Sequence, residues 1–278
     1  MSFTAINHDS AGETAGHIPA PATGTVGDLV DRLGPAPITV LAVWAHPDDE
    51  SFLAGGLLAE ITRRGGRVVN VAATSGEHGT DDPVSQPPAV LAERRERELR
   101  AALAELGAEP PVSLGFGDGS CDLVPERLGA AVVGDLVDQV DPDVVLSFGP
   151  DGVTGHPDHQ AIGRWARRAV AERGDRVPLI TAAAAAVWPT WCIERLDSID
   201  AFWPGFPQRV EFDRSVQLDD RLLDRKLAAL ARHASQMAPV EQALGPDGFR
   251  AVASLEAYLA ANPAARRHLT SAPVALAA

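Results

Sequence analysis

Two short stretches carry side chains able to do chemistry together: AHPDDE at 45–50 and GHPDH at 155–159. The first brings His46, Asp48, Asp49 and Glu50, and the second brings His156 and His159 around Pro157 and Asp158. Carboxylates are costly to desolvate, so three of them at the mouth of a buried strand need a compensating charge. A catalytic metal takes three N or O protein ligands and leaves a further position to water. His46, Asp49 and His159 would supply two imidazoles and one carboxylate. Asp48, diverging in direction from its ligand neighbour, then stands where a general base would act on the water. His156 stands where a donor would serve a developing oxyanion or protonate a leaving group. Such a set suits metal-assisted hydrolysis of an acyl derivative. Taken singly, H-P-D is also an ordinary helix start, because Pro suits the first helical position and Asp the helix N-terminus. Glu50 either braces a ligand from behind or begins the next helix.

The elements that must position these residues read as alternating strands and helices. ITVLAVWA (38–45) is a continuous apolar run of the buried, parallel-sheet kind, and GGLLAEITRRGG follows with helical spacing and stops at paired glycines. RVVNVAAT (67–74), PVSLGF (111–116), DVVLSF (143–148) and a stretch near 179–187 read as further strands. Between them lie helical patterns in VLAERRERELRAALAELGA, closed by Gly107, in LGAAVVGDLVDQV, and from Pro157 through Val170, with DDRLLDRKLAALARHASQM (219–237) closing the series. This alternation predicts a three-layer α/β fold of Rossmann-like type, a mostly parallel sheet with helices on both faces and right-handed crossovers. In such sheets the site lies beyond the carboxyl ends of the strands. Both polar clusters follow buried strands there, so His46 and His159, 113 positions apart, are brought to one edge.

Length and composition bound the rest. The 278 residues, 45% apolar with 22 Pro and 25 Gly, describe an ordinary globular chain. A net charge of −14 argues against nucleic acid and anionic membranes as partners, since phosphate backbones need clustered Lys and Arg. Cys121 and Cys192 form no C-x-x-C and read as reduced cysteines of a cytoplasmic protein. Residues 1–36 lack an export signal and read as a flexible leader with a short helix in GDLVDRL, leaving 37–278 as one domain. Whether the chain forms a homo-oligomer is left open. No G-x-S-x-G elbow is present, and HPDDE rather than G-x-G-x-x-G follows the first strand, which disfavours a dinucleotide enzyme.

AHPDDE after a hydrophobic strand, with GHPDH about 110 residues on, resembles the PIG-L-type zinc-dependent N-deacetylases. The resemblance spans roughly residues 37–240 and extends to TSGEHG (74–79), RRERELRAAL (94–103), LGFGDG (114–119) and KLAALARHASQ (226–236). It implies removal of acetyl from an N-acetylglucosamine unit on a glycolipid, pseudodisaccharide or other natural product, such as an antibiotic. It also implies Zn²⁺ on His46, Asp49 and His159, a base at Asp48, an electrophilic His156, and sugar contacts from Arg95 and Asp118. Arg95 reads equally as a solvated charge on an Arg–Glu-rich helix, Asp118 as a turn residue, and His233 as a packed or carbonyl-bonded histidine. Thr154 stands where some members carry a Tyr that assists the oxyanion, and it is too short for that reach. The segment 187–206, with Trp188, Trp191 and Trp203, reads either as an aromatic wall for a sugar or bulky aglycone or as a loop packing on the core. The polar loop 77–88 is long enough to be a lid. Two other functions stay open: an amide hydrolase for a larger acyl conjugate of the thiol S-conjugate type, and a catalytically silent sugar-binding protein.

Overall fold

The computed structural model describes residues 24–204, 206 and 212–270. The chain runs α1 (Val26–Leu33), β1 (Thr39–Trp44), α2 (Asp49–Arg63), β2 (Arg67–Ala72), α3 (Pro88–Leu106), β3 (Val112–Ser113), α4 (Glu126–Val140), β4 (Val144–Phe148) and α5 (Pro157–Glu172). It continues through β5 (Leu179–Ala182), α6 (Thr190–Asp197), β6 (Arg214–Gln217), α7 (Asp220–Leu230), α8 (Ala234–Ala253), β7 (Leu255–Ala260) and α9 (Pro263–Leu269). The strands form one sheet in the order β3-β2-β1-β4-β5-β7-β6. The first five are mutually parallel, and β7 runs antiparallel to both β5 and β6. This is the expected α/β, mostly parallel architecture. α4 and α5 pack on each other over one face, while α2, α3 and α7 pack together over the other.

The apolar runs place themselves as their composition requires. β4 is buried at every position and β1 at all but its first, as strands covered on both faces must be. α3 buries Leu91, Arg95, Leu99, Ala102, Leu103 and Leu106, a stripe at helical spacing, and Gly107 closes it in the left-handed conformation at φ 76°. The paired glycines of α2 serve close packing: a Cβ at Gly56 would fall 2.3 Å from the Leu218 side chain, and one at Gly55 3.0 Å from Lys226.

Some expectations change. Of the leader read over 1–36, residues 1–23 lie outside the described residues. Residues 26–33 form α1, fixed by a capping box between Thr25 and Asp28 and burying Val26, Leu29, Val30 and Leu33, so the folded body includes this helix. The helix read over 219–237 is two, because the chain turns at Ala231–His233. The strand near 179–187 ends at Ala182 and passes into a 3₁₀ turn. The antiparallel pair β6–β7 was not anticipated, since LEAYLA follows a helical stretch and is built largely of helix formers.

Candidate active site

β1 and β4 are neighbours in the sheet, and the site is built where both end. His46 lies two residues past β1, and Asp49 opens α2. His159 lies in the first turn of α5, after the loop that follows β4. His46 Nδ1 is 3.0 Å from His159 Nε2, His159 Nε2 is 3.4 Å from Asp49 Oδ1, and His46 Nδ1 is 3.8 Å from Asp49 Oδ2. Three ligands bonded to one tetrahedral metal at 2.0–2.1 Å stand about 3.3 Å apart, close to these spacings, although the two Asp49 distances are to different oxygens.

The tautomers agree with that reading. His159 Nδ1 lies 2.9 Å from the Gly152 carbonyl and 3.2 Å from Thr154 Oγ1, so it carries the proton toward that carbonyl and leaves the Nε2 lone pair free. His46 Nε2 faces Asp118 Oδ1 at 3.1 Å and Asp158 Oδ2 at 3.3 Å, so it donates there and leaves Nδ1 free. Ligand histidines are ordinarily oriented in this way by a carboxylate or carbonyl behind them. The two acids are braced in turn: Asp118 accepts from the His78 N–H, and Asp158 from the Gly119 and Cys121 N–H groups. Asp49 is aimed by the His46 N–H, which donates to its Oδ2 at 2.8 Å. The Phe148 ring stacks on His159 at 4.2 Å.

The electrostatics favour a cation at this point. Burial disfavours charge on His46, yet Asp118, Asp158 and Asp49 outweigh it and raise its pKa to about 10; the second proton, on Nδ1 toward His159 Nε2, is the charge that a bound metal would replace. Burial, with the charge on His46, pushes His159 down to about 3 and His156 down to about 4. Burial lifts both Asp48 and Asp49 to about 6, against the pull of Arg95 on the first and His46 on the second.

Asp48 is the N-cap of α2 at φ 116°, a conformation that costs a non-glycine residue about 1–3 kcal/mol. Its side chain caps nothing. Oδ2 instead accepts from Arg95 Nη2 at 3.0 Å. The same guanidinium donates to the Pro47 carbonyl at 2.7 Å and the Gly76 carbonyl at 2.8 Å. Glu50 is fully buried and fixes the turn from beneath, accepting from the Asp48 N–H at 3.1 Å, the Ser51 hydroxyl at 2.6 Å and His233 Nε2 at 2.9 Å. Charge on His233 and its hydrogen bond hold Glu50 low against burial, and Glu50 raises His233 in return.

Sequence reasoning thus brought His46, Asp48, Asp49, His156 and His159 together. His156 caps α5, its Nδ1 accepting from the Asp158 N–H at 3.1 Å. In the neutral ring the proton is then on Nε2, a donor beside His46 and His159, with a ring nitrogen within 4.8 Å of both. Arg95 and Asp118 line the same cavity, but Asp118 is taken by His46 and His78, and Arg95 gives its terminal nitrogens to the Gly76 and Pro47 carbonyls and Asp48, with Nε buried and unpartnered among the described residues. Asp158 and His233 were not given these roles from sequence; Glu50, read as bracing a ligand from behind or as beginning the next helix, lies in the first turn of α2 and braces the Asp48 turn. A signal existed for Arg95: it occupies a core-facing position in the stripe of α3, where a solvated charge does not belong.

The cavity measures ≈ 440 Å³, within the range of roughly 300–1,000 Å³ for small-ligand sites. The family described as GlcNAc-PI de-N-acetylase, PIG-L, matches residues 41–170. A 1D-myo-inositol 2-acetamido-2-deoxy-α-D-glucopyranoside deacetylase from Mycolicibacterium vanbaalenii is 31% identical over 258 residues, covering 81% of this chain and 88% of the relative. One of the same description from Mycobacterium tuberculosis is 32% identical over 265 residues, covering 77% and 84%. The N,N′-diacetylchitobiose deacetylase of Pyrococcus horikoshii shares the fold, with a TM-score of 0.61 at 22% identity over 84% of this chain and 86% of that one. Likeness along four-fifths of the chain, with both histidine motifs inside the matched region, makes this protein a member of the PIG-L de-N-acetylase family.

Proposed function

We propose that the protein is a zinc-dependent de-N-acetylase of an N-acetylglucosamine-type sugar, a small-molecule substrate carried on a pseudodisaccharide or other natural product. The observation that supports this is the convergence of two ring nitrogens and the two oxygens of one carboxylate, with contacts of 3.0–3.8 Å, beside a second carboxylate held apart from them. His46, Asp49 and His159 would hold the metal. Bound there, Zn²⁺ would supply Lewis acidity, polarising the amide carbonyl and acidifying a water molecule.

The chain's own residues do the rest. Asp48, ionised and oriented by Arg95, takes the proton of the attacking water. His156, with its proton on Nε2, donates to the oxygen that becomes negative as the carbonyl turns tetrahedral. The departing amine takes a proton from Asp48 or His156, and acetate is released. Thr154 lies 3.2 Å from His159 Nδ1, so it belongs to the bracket behind a ligand and not to the oxyanion side. A silent sugar binder gives no reason for the strained Asp48 backbone or the buried Arg95 that aims its carboxylate.

The substrate named for the relatives, N-acetylglucosamine on inositol, is the first compound to assay. Acetate release with Zn²⁺ restored, compared between wild type and Asp48→Ala, tests the reading. Release that vanishes in the variant at unchanged metal content supports it. No release from any acetylated amino sugar by metal-loaded protein refutes it and moves the reaction to a larger amide.

A further inference from the structure

We propose that the cavity is built for N-acetylglucosamine glycosides whose aglycone is apolar. The inference rests on the deacetylase reading above and adds the chemistry of the group attached to the sugar. The metal-ligating trio sits at the ends of β1 and β4, in the middle of the sheet order β3-β2-β1-β4-β5. On the β2–β3 side, the loops supply His78, Gly79, Asp118 and Gly119 to the lining, and α8 adds Gln236. Of these, His78 and Gln236 carry hydrogen-bonding side chains, while Asp118 is held by His46 and the His78 N–H. On the β5 side, the crossover toward β6 supplies Trp188, Leu196 and Phe202, joined by Phe52 of α2 and by Met237 and Val240 of α8. The acid in that part of the lining, Asp200, is exposed to solvent.

The apolar side is one packed surface. Phe52 meets Trp188 edge-on at 5.6 Å and Phe249 at 6.5 Å. The same crossover also carries Trp191, Ile199 and Trp203, large apolar side chains left 39%, 36% and 49% exposed. Trp203 stands edge-on to His156 at 5.2 Å, and its N–H donates to the Thr154 carbonyl, which ties it to the edge of the site.

The chemistry of the sugar fits this division. The acetamide sits on C2, between C1, which carries the aglycone, and C3, which carries a hydroxyl. With the amide carbonyl at the trio, the C3 and C4 hydroxyls and the C1 substituent leave on opposite sides of the ring. The polar side takes the hydroxyls, and Phe52, Trp188, Phe202, Met237 and Val240 take the aglycone.

Binding of the deacetylated products, methyl and octyl glucosaminide, measured by calorimetry, tests the division without turnover. The octyl compound should bind about thirtyfold more tightly, the equivalent of two to three of its extra methylenes fully buried at about fourfold each. Val240→Asn, and separately Trp188→Ala, should bring that ratio below about fivefold; Val240 is the milder change if loss of Trp188 disturbs folding. In turnover with Zn²⁺, octyl N-acetylglucosaminide should show a lower KM than the methyl glycoside at similar kcat. Equal binding of the two products overturns the inference. So does a higher kcat/KM for N-octanoylglucosamine than for octyl N-acetylglucosaminide, which places an acyl chain on the apolar wall. Preference for the octyl product with no amide cleaved from any compound supports the divided cavity and refutes the deacetylase reading alone.

Discussion

Replacing Arg95 with Met removes the guanidinium that meets Asp48 at 3.0 Å while anchored on the Pro47 and Gly76 carbonyls. Burial pushes the Asp48 carboxyl up to about 6, and the Arg95 charge is the largest influence holding it down. An opposite charge at this distance lowers a carboxyl pKa by about 1–3 units. Both side chains are shielded, at 5% and 19% exposure, so little of that is screened and a shift of about 2 units is expected. A bound dication lowers Asp48 in wild type and variant alike, which leaves the difference between them. Asp48 acts as a base only when ionised. The acid limb of kcat/KM against pH therefore moves to higher pH in Arg95→Met, and activity below the wild-type limb falls by roughly a hundredfold. Arg95→Lys keeps a charge but loses the fork that spans two carbonyls and a carboxylate, so its limb should stay near wild type while its plateau drops. The assay is acetate release across pH for the three metal-loaded proteins. An unmoved limb with a raised KM would refute the reasoning and make Arg95 a sugar contact, the role its family resemblance implied.

Asp48→Asn should lower kcat/KM by about 10²–10⁴ at unchanged metal content by atomic absorption, the usual span of a general base; loss of metal with activity would show that Asp48 is a ligand. Zn²⁺ should raise the melting temperature of wild type, by about 4 kcal/mol of stability at a thousandfold excess over Kd, and should not raise that of His159→Ala. Glu50→Ala strands His233 in the core, and breaking such a pair costs about 3–5 kcal/mol in chemical denaturation. Glu50, lowered from 4.5, contributes stability that is lost as pH falls, and His233, raised from 6.5, contributes stability that is lost as pH rises through its folded value. The gap between wild type and variant should thus be widest between about pH 4.5 and 6.5, and a gap independent of pH would count against the charged pair. In Gly76→Ala the new Cβ, at φ 62°, falls 2.2 Å from Arg95 Nη1, so the pH limb should move as in Arg95→Met; wild-type behaviour would mean that the guanidinium is not held there.

What was legible in the sequence followed from periodicity and strand ends. A buried run that stops at HPDDE and another that stops shortly before GHPDH, in a sheet whose connections bring both stops to one edge, suffice to unite His46, Asp49 and His159. Less legible were contacts that no local pattern announces. Arg95 meets Asp48 across 47 positions, His233 meets Glu50 across 183, and Asp158 meets His46 across 112. Each is a polar residue within an otherwise apolar or helix-start context, and its partner is set only when the sheet has formed. Lys226 follows the same rule as Arg95: it lies in the buried stripe of α7 with Leu222, Leu223, Ala229 and Leu230. A cation at a core-facing helical position has to find an anion, so the stripe itself signals a buried pair even where it cannot name the partner.

The partner of Lys226 shows why the unanticipated C-terminal strands matter to the site. Glu256, on β7, accepts from Lys226 Nζ at 2.9 Å and from the Tyr258 hydroxyl at 2.8 Å. It also accepts from the Gly56 and Leu57 N–H groups at 2.7 and 3.0 Å, in the interior of α2. A fully buried carboxylate with four donors is satisfied where it stands and costly to move. It therefore pins the middle of α2 to an interior strand of the sheet about 200 residues away, while Glu50 and His233 pin the first turn. α2 begins with Asp49 and is capped by Asp48, so the placement of the proposed ligand and the proposed base depends on both anchors. The small residues at Gly55 and Gly56 follow from this: α2 must approach β7 and α7 closely enough for backbone N–H groups to reach the Glu256 carboxylate. The motif supplies the atoms that react, and the buried polar contacts behind it hold those atoms at reacting distance.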